Sequence, residues 1–386
     1  MPSCPQPTTT PDELVEALRP VIEKYRDEAD EIRRLPDELL GHLRDSGAFR
    51  LTTPRELGGF ELSLTETAAL LERLARIDGA TAWTAWNFNA GFSAAFLPEE
   101  SVERIWADGP DPLIGHSSQP GRLVPDGAGF LLSGEWKLVS GADSAQWLAL
   151  LAVVVEDGRP RMTAAGPDVR FCLVPRSAVQ VRDTWHSTGL RGTNTNAVVA
   201  VDVPVDAAMM VSPGAPARIS RRRYRVAAAD QLSSGAAAVV LGIARAAVDE
   251  VAALAHTRTG PDGVPVARQP RVQAALGQAA TRVHAALALL RTALDGLDTA
   301  AGQERPATEA ERAALGGAFA HAAETARAVL TSMYELAGST ALYESSRVGK
   351  LLRDGYAAAQ HALLSPANYE AVGTAIAGAS APDRAE

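Results

Sequence analysis

The chain has 386 residues, which at roughly 150 residues per domain allows two or three domains. Its 37 basic and 46 acidic residues give a net charge of -9, and that argues against a nucleic-acid binder, which needs a basic stripe to displace phosphate counterions. The composition, 46% hydrophobic and 22% charged, suits a globular chain with a sizeable core. The two cysteines, Cys4 and Cys172, offer neither a disulfide framework nor metal-ligand spacing.

The first 110 or so residues read as helices with explicit start and stop signals. Thr10-Pro11-Asp12-Glu13 is a capping box with proline at the first helical position. Pro36 opens a second helix that Gly47 ends. Ser63 and Glu66 form another capping box ahead of Leu64, Ala68, Leu71 and Ala75 at helical spacing, with Gly79 as the stop. A further helix carries Trp83, Trp86 and Phe92, and Pro98 starts one more. From Asp111 to about Pro213, glycine, proline and aspartate punctuate short runs rich in valine, leucine and tryptophan. These runs are Phe130 to Leu132, Glu135 to Val139, Trp147 to Val155, Val169 to Val174 and Ala197 to Val203, and they predict a small all-β barrel or sandwich. After Ala215 helices return, with Ala227 to Thr257, Arg271 to Leu297 and Thr308 to Leu336 long enough for a bundle.

The division expected is therefore 1-111, 112-214 and 215-386: helical domain, β domain and helical bundle. No apolar run near a strand approaches the roughly 18 residues of a membrane span. The N-terminus lacks the basic and apolar regions of a secretory signal, so the expectation is a cytoplasmic protein with no membrane association. The chain contains no Walker A loop, dinucleotide fingerprint or nucleophile elbow, and its seven histidines show no metal-ligand spacing.

Six strings in order carry a family resemblance. They are Pro54 to Gly59, Trp136 to Gly141, Gly189 to Thr193, Leu241 to Ala247, Glu335 to Ser339, and Arg353-Asp354. Together they resemble the acyl-CoA dehydrogenase superfamily over nearly the whole chain. The resemblance implies an α+β, mostly α, fold: an N-terminal helical domain, a central β barrel and a C-terminal four-helix bundle, usually as a homotetramer (or dimer).

Within that superfamily a dehydrogenase needs a carboxylate base for the α-proton of an acyl thioester. The two family positions for that base are here Ala362 and Leu232, and the nearest acids, Asp230 and Glu370, are displaced from them. Beside Ala362 stands His361, followed by Leu364, Pro366 and Tyr369. This pattern resembles the flavin-dependent monooxygenase branch, which includes dibenzothiophene monooxygenase and the oxygenase component of hydroxyphenylacetate hydroxylase. The branch implies a two-component enzyme that takes reduced flavin (FAD in preference to FMN) from a separate NAD(P)H-dependent reductase. With molecular oxygen and no metal, it hydroxylates or N-oxygenates a small, aromatic or polycyclic molecule through a C4a-hydroperoxyflavin.

The resemblance also implies roles by position. His361 is the candidate catalytic donor, with a near-neutral pKa, on the last bundle helix. Ser140, with Gly141, is the candidate partner of the flavin ring. Ser117 and Ser118 lie where a flavin-contacting strand ends, after His116. Arg258 is placed for flavin phosphate, Gly338 and Ser339 for the adenosine half, and Trp86 and Asn87 for the substrate pocket. Trp136 and Trp147 read as barrel core, Arg221 to Arg223 as a solvated basic loop, and Arg353-Asp354 as a structural ion pair. Two alternatives remain open: an acyl-CoA dehydrogenase with a relocated base, and a non-catalytic protein on the same fold.

Overall fold

A computed structural model describes residues 10-164, 166-260 and 263-378; Cys4 and the reading of the first nine residues lie outside them. The described residues form two compact units. One comprises the chain up to Ser63, Thr84–Ser187 and Arg191–Leu232; the other comprises Leu64–Trp83, Thr188–Leu190 and the chain from Ser233 onward.

The first unit opens with α1 (Pro11–Ile32) and α2 (Asp37–Ser46). At α1 the capping box forms: Thr10 Oγ1 accepts from Glu13 N at 3.4 Å, and the Glu13 carboxylate accepts from Thr10 N at 3.2 Å. Its sheet runs through β1 (Ile114–Asp126), β2 (Gly129–Val139), β3 (Trp147–Glu156), β4 (Val169–Pro175), β5 (Gln180–Arg182), β6 (Asn196–Val205) and β7 (Met210–Val211). The spatial order is β7-β4-β3-β1-β2-β6-β5, so the path ends on two edge strands and the sheet is open. The expected barrel does not close among the described residues.

The centre of the sheet is β1, antiparallel to β2 and parallel to β3. The sequence hides this strand because Gln119-Pro120-Gly121 reads as a turn. The backbone absorbs those residues in a register shift between Ser117 and Gly121. Gly121 is required there, since a Cβ would lie 2.4 Å from the Trp136 ring. Trp136 is fully buried, and its indole N–H donates to the Leu151 carbonyl at 3.0 Å, whereas Trp147 is half-buried with the Arg104 guanidinium over its ring. The runs Phe130 to Leu132 and Glu135 to Val139 merge into one strand, β2, rather than two.

Arg50 and Asp111 form a buried ion pair in this unit, 2.9 Å apart. Burial pushes the Asp111 carboxyl up to about 6, against the opposing pull of Arg50 and Arg44. A raised folded-state pKa favours folding below the unfolded value, and that contribution is lost as pH rises through about 6. The stability difference between wild type and Asp111→Asn, from urea midpoints, should therefore favour wild type more at pH 4 than at pH 7. An invariant difference would contradict the assignment.

Nearby, Arg221 is held by the carboxylates of Glu56 and Glu61, and Arg223 is only 4% exposed. Arg221 and Arg223 are thus built into the fold rather than solvated, whereas Arg222 between them is exposed.

The second unit contains α3 (Leu64–Ile77), the start of α4 (Gly79–Phe88) and the long helices α6 (Ala228–Thr257), α7 (Pro270–Gly302) and α8 (Glu309–Ala337). The short α5 (Glu99–Ile105) belongs to the first unit; α9 (Arg347–Ala358) and α10 (Asn368–Ala377) complete the second. Small side chains let these helices approach closely: α6 buries Ala237, Ala244 and Ala247, and α8 buries Ala322, Ala323 and Ala326.

The backbone amides of Leu64 and Thr65 at the start of α3 both meet the Asp298 carboxylate of α7, at 3.4 Å each. Gly79 does not stop α3 as expected. It begins α4, whose first turn is capped by Asp78: its carboxylate accepts from Thr81 N and Thr81 Oγ1, both at 2.8 Å. Phe92 falls beyond α4, in a 3-10 turn over Gly91–Ala95.

Candidate functional site

In the first unit a cavity of about 370 Å³ is lined by Lys137 and Leu138 of β2, Thr184 to Ser187, and Thr195 and Ala197 around the start of β6. The loop that supplies Trp185 is held by Asn196 and by Arg33, which donates to the Asp183 carboxylate and the Trp185 carbonyl. Asn196 Oδ1 accepts from the amides of Thr184 and Trp185 at 2.9 and 3.0 Å. Thr184 Oγ1 in turn accepts from Ala197 N at 2.9 Å.

Ser140, 5% exposed, follows β2 and shares a 2.8 Å hydrogen bond with Thr195 Oγ1, itself 2.7 Å from Thr193 Oγ1. The candidate serine thus reaches the cavity through a hydroxyl relay whose outer member is Thr195. Gly141 turns the chain with φ +70°, and its amide donates to the Thr193 carbonyl at 2.8 Å. A Cβ there would lie 2.4 Å from the Phe88 ring. Gly141→Ala is expected to lower stability by about 1-3 kcal/mol, read from the denaturation midpoint, and to displace Ser140 with it. A variant of wild-type stability would contradict this packing.

Ser117 is buried and accepts from Gln119 N at 3.4 Å, while its neighbour Ser118 is exposed on β1. Trp86 and Asn87 are buried at 6% and 4% exposure. The Trp86 indole N–H donates to the Leu232 carbonyl at 2.9 Å, and its ring lies edge-on to His116, 6.0 Å between centroids. His116 Nδ1 is 3.3 Å from the Asn87 carbonyl, an acceptor, so Nδ1 carries the proton. Trp86 and Asn87 therefore build the surroundings of His116.

The second unit holds the remaining candidates. His361 is not on a helix. It follows α9 and caps the 3-10 turn Ala362–Leu364, with Nδ1 accepting from Leu363 N at 3.3 Å. In the neutral ring the proton therefore sits on Nε2. The Trp83 ring packs edge-on, 5.5 Å between centroids at 67°. Burial lowers the His361 pKa to about 4, so the ring is neutral at pH 7, in contrast to the near-neutral pKa expected from the sequence.

Gln360, its neighbour, lines a cavity of about 580 Å³ with Tyr334, Glu335, Arg353 and Tyr356. Ala362, at a dehydrogenase base position, is exposed, and Glu370 is exposed on α10. Arg258 Nη1 donates to the Ala337 carbonyl at 3.0 Å, which brings it to the stretch containing Gly338 and the exposed Ser339. Asp354 is bound by Lys350, at 2.6 Å, and not as an ion pair with Arg353.

Two features escaped the sequence reading. Trp185 and Thr195 flank the Gly189 to Thr193 string, and an aromatic just ahead of a conspicuous string was the available signal. Lys350, one helical turn before Asp354, could have been found from i,i+4 spacing.

The fold agrees with what the chain resembles. The family models for acyl-CoA dehydrogenase match it twice: the N-terminal domain over residues 10-98 and the C-terminal domain over 234-366. The chain belongs to the acyl-CoA dehydrogenase superfamily. Among its relatives in that superfamily, it is 26% identical to indole-3-acetate monooxygenase of Pseudomonas putida, across 94% of this chain and 93% of that one. It is 28% identical to the flavin-dependent monooxygenase oxygenase subunit HsaA of Mycobacterium tuberculosis, across 91% of each. The solved structure of XiaF from Streptomyces in complex with FADH2 and glycerol superposes with a TM-score of 0.89, at 25% identity, over 97% of this chain and 98% of that one.

Proposed function

We propose that this superfamily member is the oxygenase component of a two-component flavin-dependent monooxygenase. The observation that carries the reading is the end of α9, which presents a neutral imidazole at His361 beside Ala362, where a dehydrogenase has its carboxylate. The relatives named as monooxygenases and oxygenase subunits support it.

The donor set suits a flavin. An aromatic face at Trp185, hydroxyls at Thr195 and Ser187, and the Lys137 ammonium line a single cavity, as a planar heterocycle with polar edges requires. Arg258 and the Gly338-Ser339 stretch would hold the phosphate and adenosine parts, since a guanidinium suits phosphate. FAD is favoured over FMN by XiaF, which was solved with FADH2.

When bound, reduced flavin supplies two electrons to molecular oxygen, so that one oxygen atom enters the substrate and the other leaves as water. Ser140 and Gly141 position the inner hydroxyl relay, and Thr195, its member in the cavity, would offer a hydroxyl to the ring. His361 offers Nε2–H as a hydrogen-bond donor to the reacting oxygen and keeps that proton. Trp86 and Asn87 line the substrate side through His116, and Ser117 and Ser118, next along β1, would contact the flavin. The substrate in this reading is a small aromatic or polycyclic molecule, the partner a separate NAD(P)H-dependent flavin reductase, and the assembly a homotetramer or dimer. The three segments 1-111, 112-214 and 215-386 are the proposed domains. No described helix is long and apolar enough to cross a membrane.

Titration with photoreduced and with oxidised FAD tests this directly. Tighter binding of the reduced form is expected by about tenfold or more, a difference of one good hydrogen bond. Equal affinity, or oxidised FAD that co-purifies and is bleached by an acyl thioester, would favour a dehydrogenase instead.

A further inference from the structure

We propose that Trp83 is a positioning residue for His361, holding the imidazole in one orientation with its proton on Nε2. This rests on the reading of His361 given above and extends it to a residue that neither the family strings nor the relatives single out.

Two ends of the ring are fixed by different elements. Leu363 N–H occupies Nδ1 from within the 3-10 turn, and the Trp83 indole covers the ring edge-on from α4. An edge-to-face pair of this separation adds about 0.5-1.5 kcal/mol beyond area burial, enough to select one rotamer. Trp83 is itself 6% exposed, so the ring edge that His361 meets belongs to the core.

A buried ionic bridge keeps α4 and α9 in register. Asp78 caps α4, and Lys350 Nζ of α9 reaches its carboxylate at 3.5 Å. The same ammonium binds Asp354 at 2.6 Å, and Asp354 Oδ1 accepts from Leu190 N at 2.7 Å. Arg327 of α8 adds a third restraint by donating to the Ala359 carbonyl, two residues before His361. The helix that supplies Trp83 and the helix end that supplies His361 are thus tied by one lysine.

The charged and titratable groups on the surrounding elements are Glu309, Glu311, Arg312, His321, Glu324, Arg327, Tyr334 and Glu335 of α8, Arg347, Lys350, Arg353, Asp354 and Tyr356 of α9, Asp78 ahead of α4, and Tyr369 and Glu370 of α10. None of them moves the ring; burial is the cause of its lowered pKa. Removing the indole is therefore expected to act through water entry and not through a changed charge.

The test begins in flavin-free protein carrying histidine labelled with carbon-13 at ε1 and nitrogen-15, with His361→Gln assigning the resonance. In wild type, His361 should titrate near pH 4 as a single Nε2–H tautomer. Trp83→Phe, which keeps an aromatic edge, should retain this, whereas Trp83→Leu should titrate closer to 6.5 with both tautomers populated. Each protein is then given photoreduced FAD and air, and the rate of hydrogen peroxide release is measured. Release should be about tenfold faster in Trp83→Leu, equivalent to one hydrogen bond, and near wild type in Trp83→Phe.

If His361→Gln releases peroxide at the wild-type rate, the reading of His361 falls and the role of Trp83 with it. If His361→Gln accelerates release but Trp83→Leu behaves as wild type in both measurements, the Trp83 proposal alone is overturned. Should Trp83→Leu fail to fold, the wild-type spectrum still decides: a mixed tautomer or titration near 6.5 overturns the proposal, and a single Nε2–H tautomer that titrates near 4, with Trp83→Phe matching it, supports it.

Discussion

Replacing His361 with alanine is expected to slow substrate oxygenation by about 10²-fold and to divert reducing equivalents to hydrogen peroxide. One preorganised donor at a site of developing charge carries about that much. The fold should survive, because the residue caps a single 3-10 turn and a lost cap costs about 1 kcal/mol. His361→Asn separates the two roles. An asparagine Oδ1 can still accept from Leu363 N–H, so the turn is kept while the Nε2–H donor is lost. Activity should remain low in His361→Asn although stability recovers, measured as product against peroxide and as a denaturation midpoint. Activity near wild type in either variant would remove His361 from the chemistry.

Lys350→Met is expected to produce the largest loss of stability. The ammonium bridges two carboxylates that are almost completely buried, with side-chain exposure of 3% for Asp78 and 2% for Asp354. Deleting the shared cation leaves two buried charges facing each other, and breaking a buried pair in this way costs about 3-5 kcal/mol. Arg353→Met, next to Asp354 in sequence but lining a cavity, should cost under about 1 kcal/mol. Urea denaturation of the two variants separates them. Equal losses would mean that the adjacent arginine, as the sequence suggests, and not the lysine a turn away, compensates Asp354.

How much of this could be read in the chain depends on how local each feature is. Capping boxes are local, and Thr10 with Glu13 forms the box that its spacing announces. Long amphipathic and alanine-rich runs are nearly so, and α6, α7 and α8 fall within a few residues of their sequence limits. Non-local pairing is not. The central strand β1 hides behind a Pro-Gly pair because only its two neighbours make a strand of it. Closure of a sheet is likewise invisible from strand count, and the sheet is open where a barrel was expected.

For the candidate site, family position pointed to His361, Ser140, Gly141 and Arg258 without their surroundings. It did not give the Ser140–Thr195 relay, which joins residues 55 apart in sequence. Nor did it give the state of His361, since a depressed pKa depends on burial by elements distant in sequence, such as the helix that carries Trp83. Aspartate 354 illustrates the same point: adjacency suggested Arg353, but helical geometry puts Lys350 on its face.

The most direct measurement is rapid mixing of the protein, loaded with photoreduced FAD, against air-saturated buffer, with the return of oxidised FAD and the release of peroxide followed together. A flavin monooxygenase with His361 as its donor should delay both signals relative to free FAD, and His361→Ala should abolish the delay. Oxidised FAD that returns as fast in wild type as in free solution, with peroxide released at once, would contradict it.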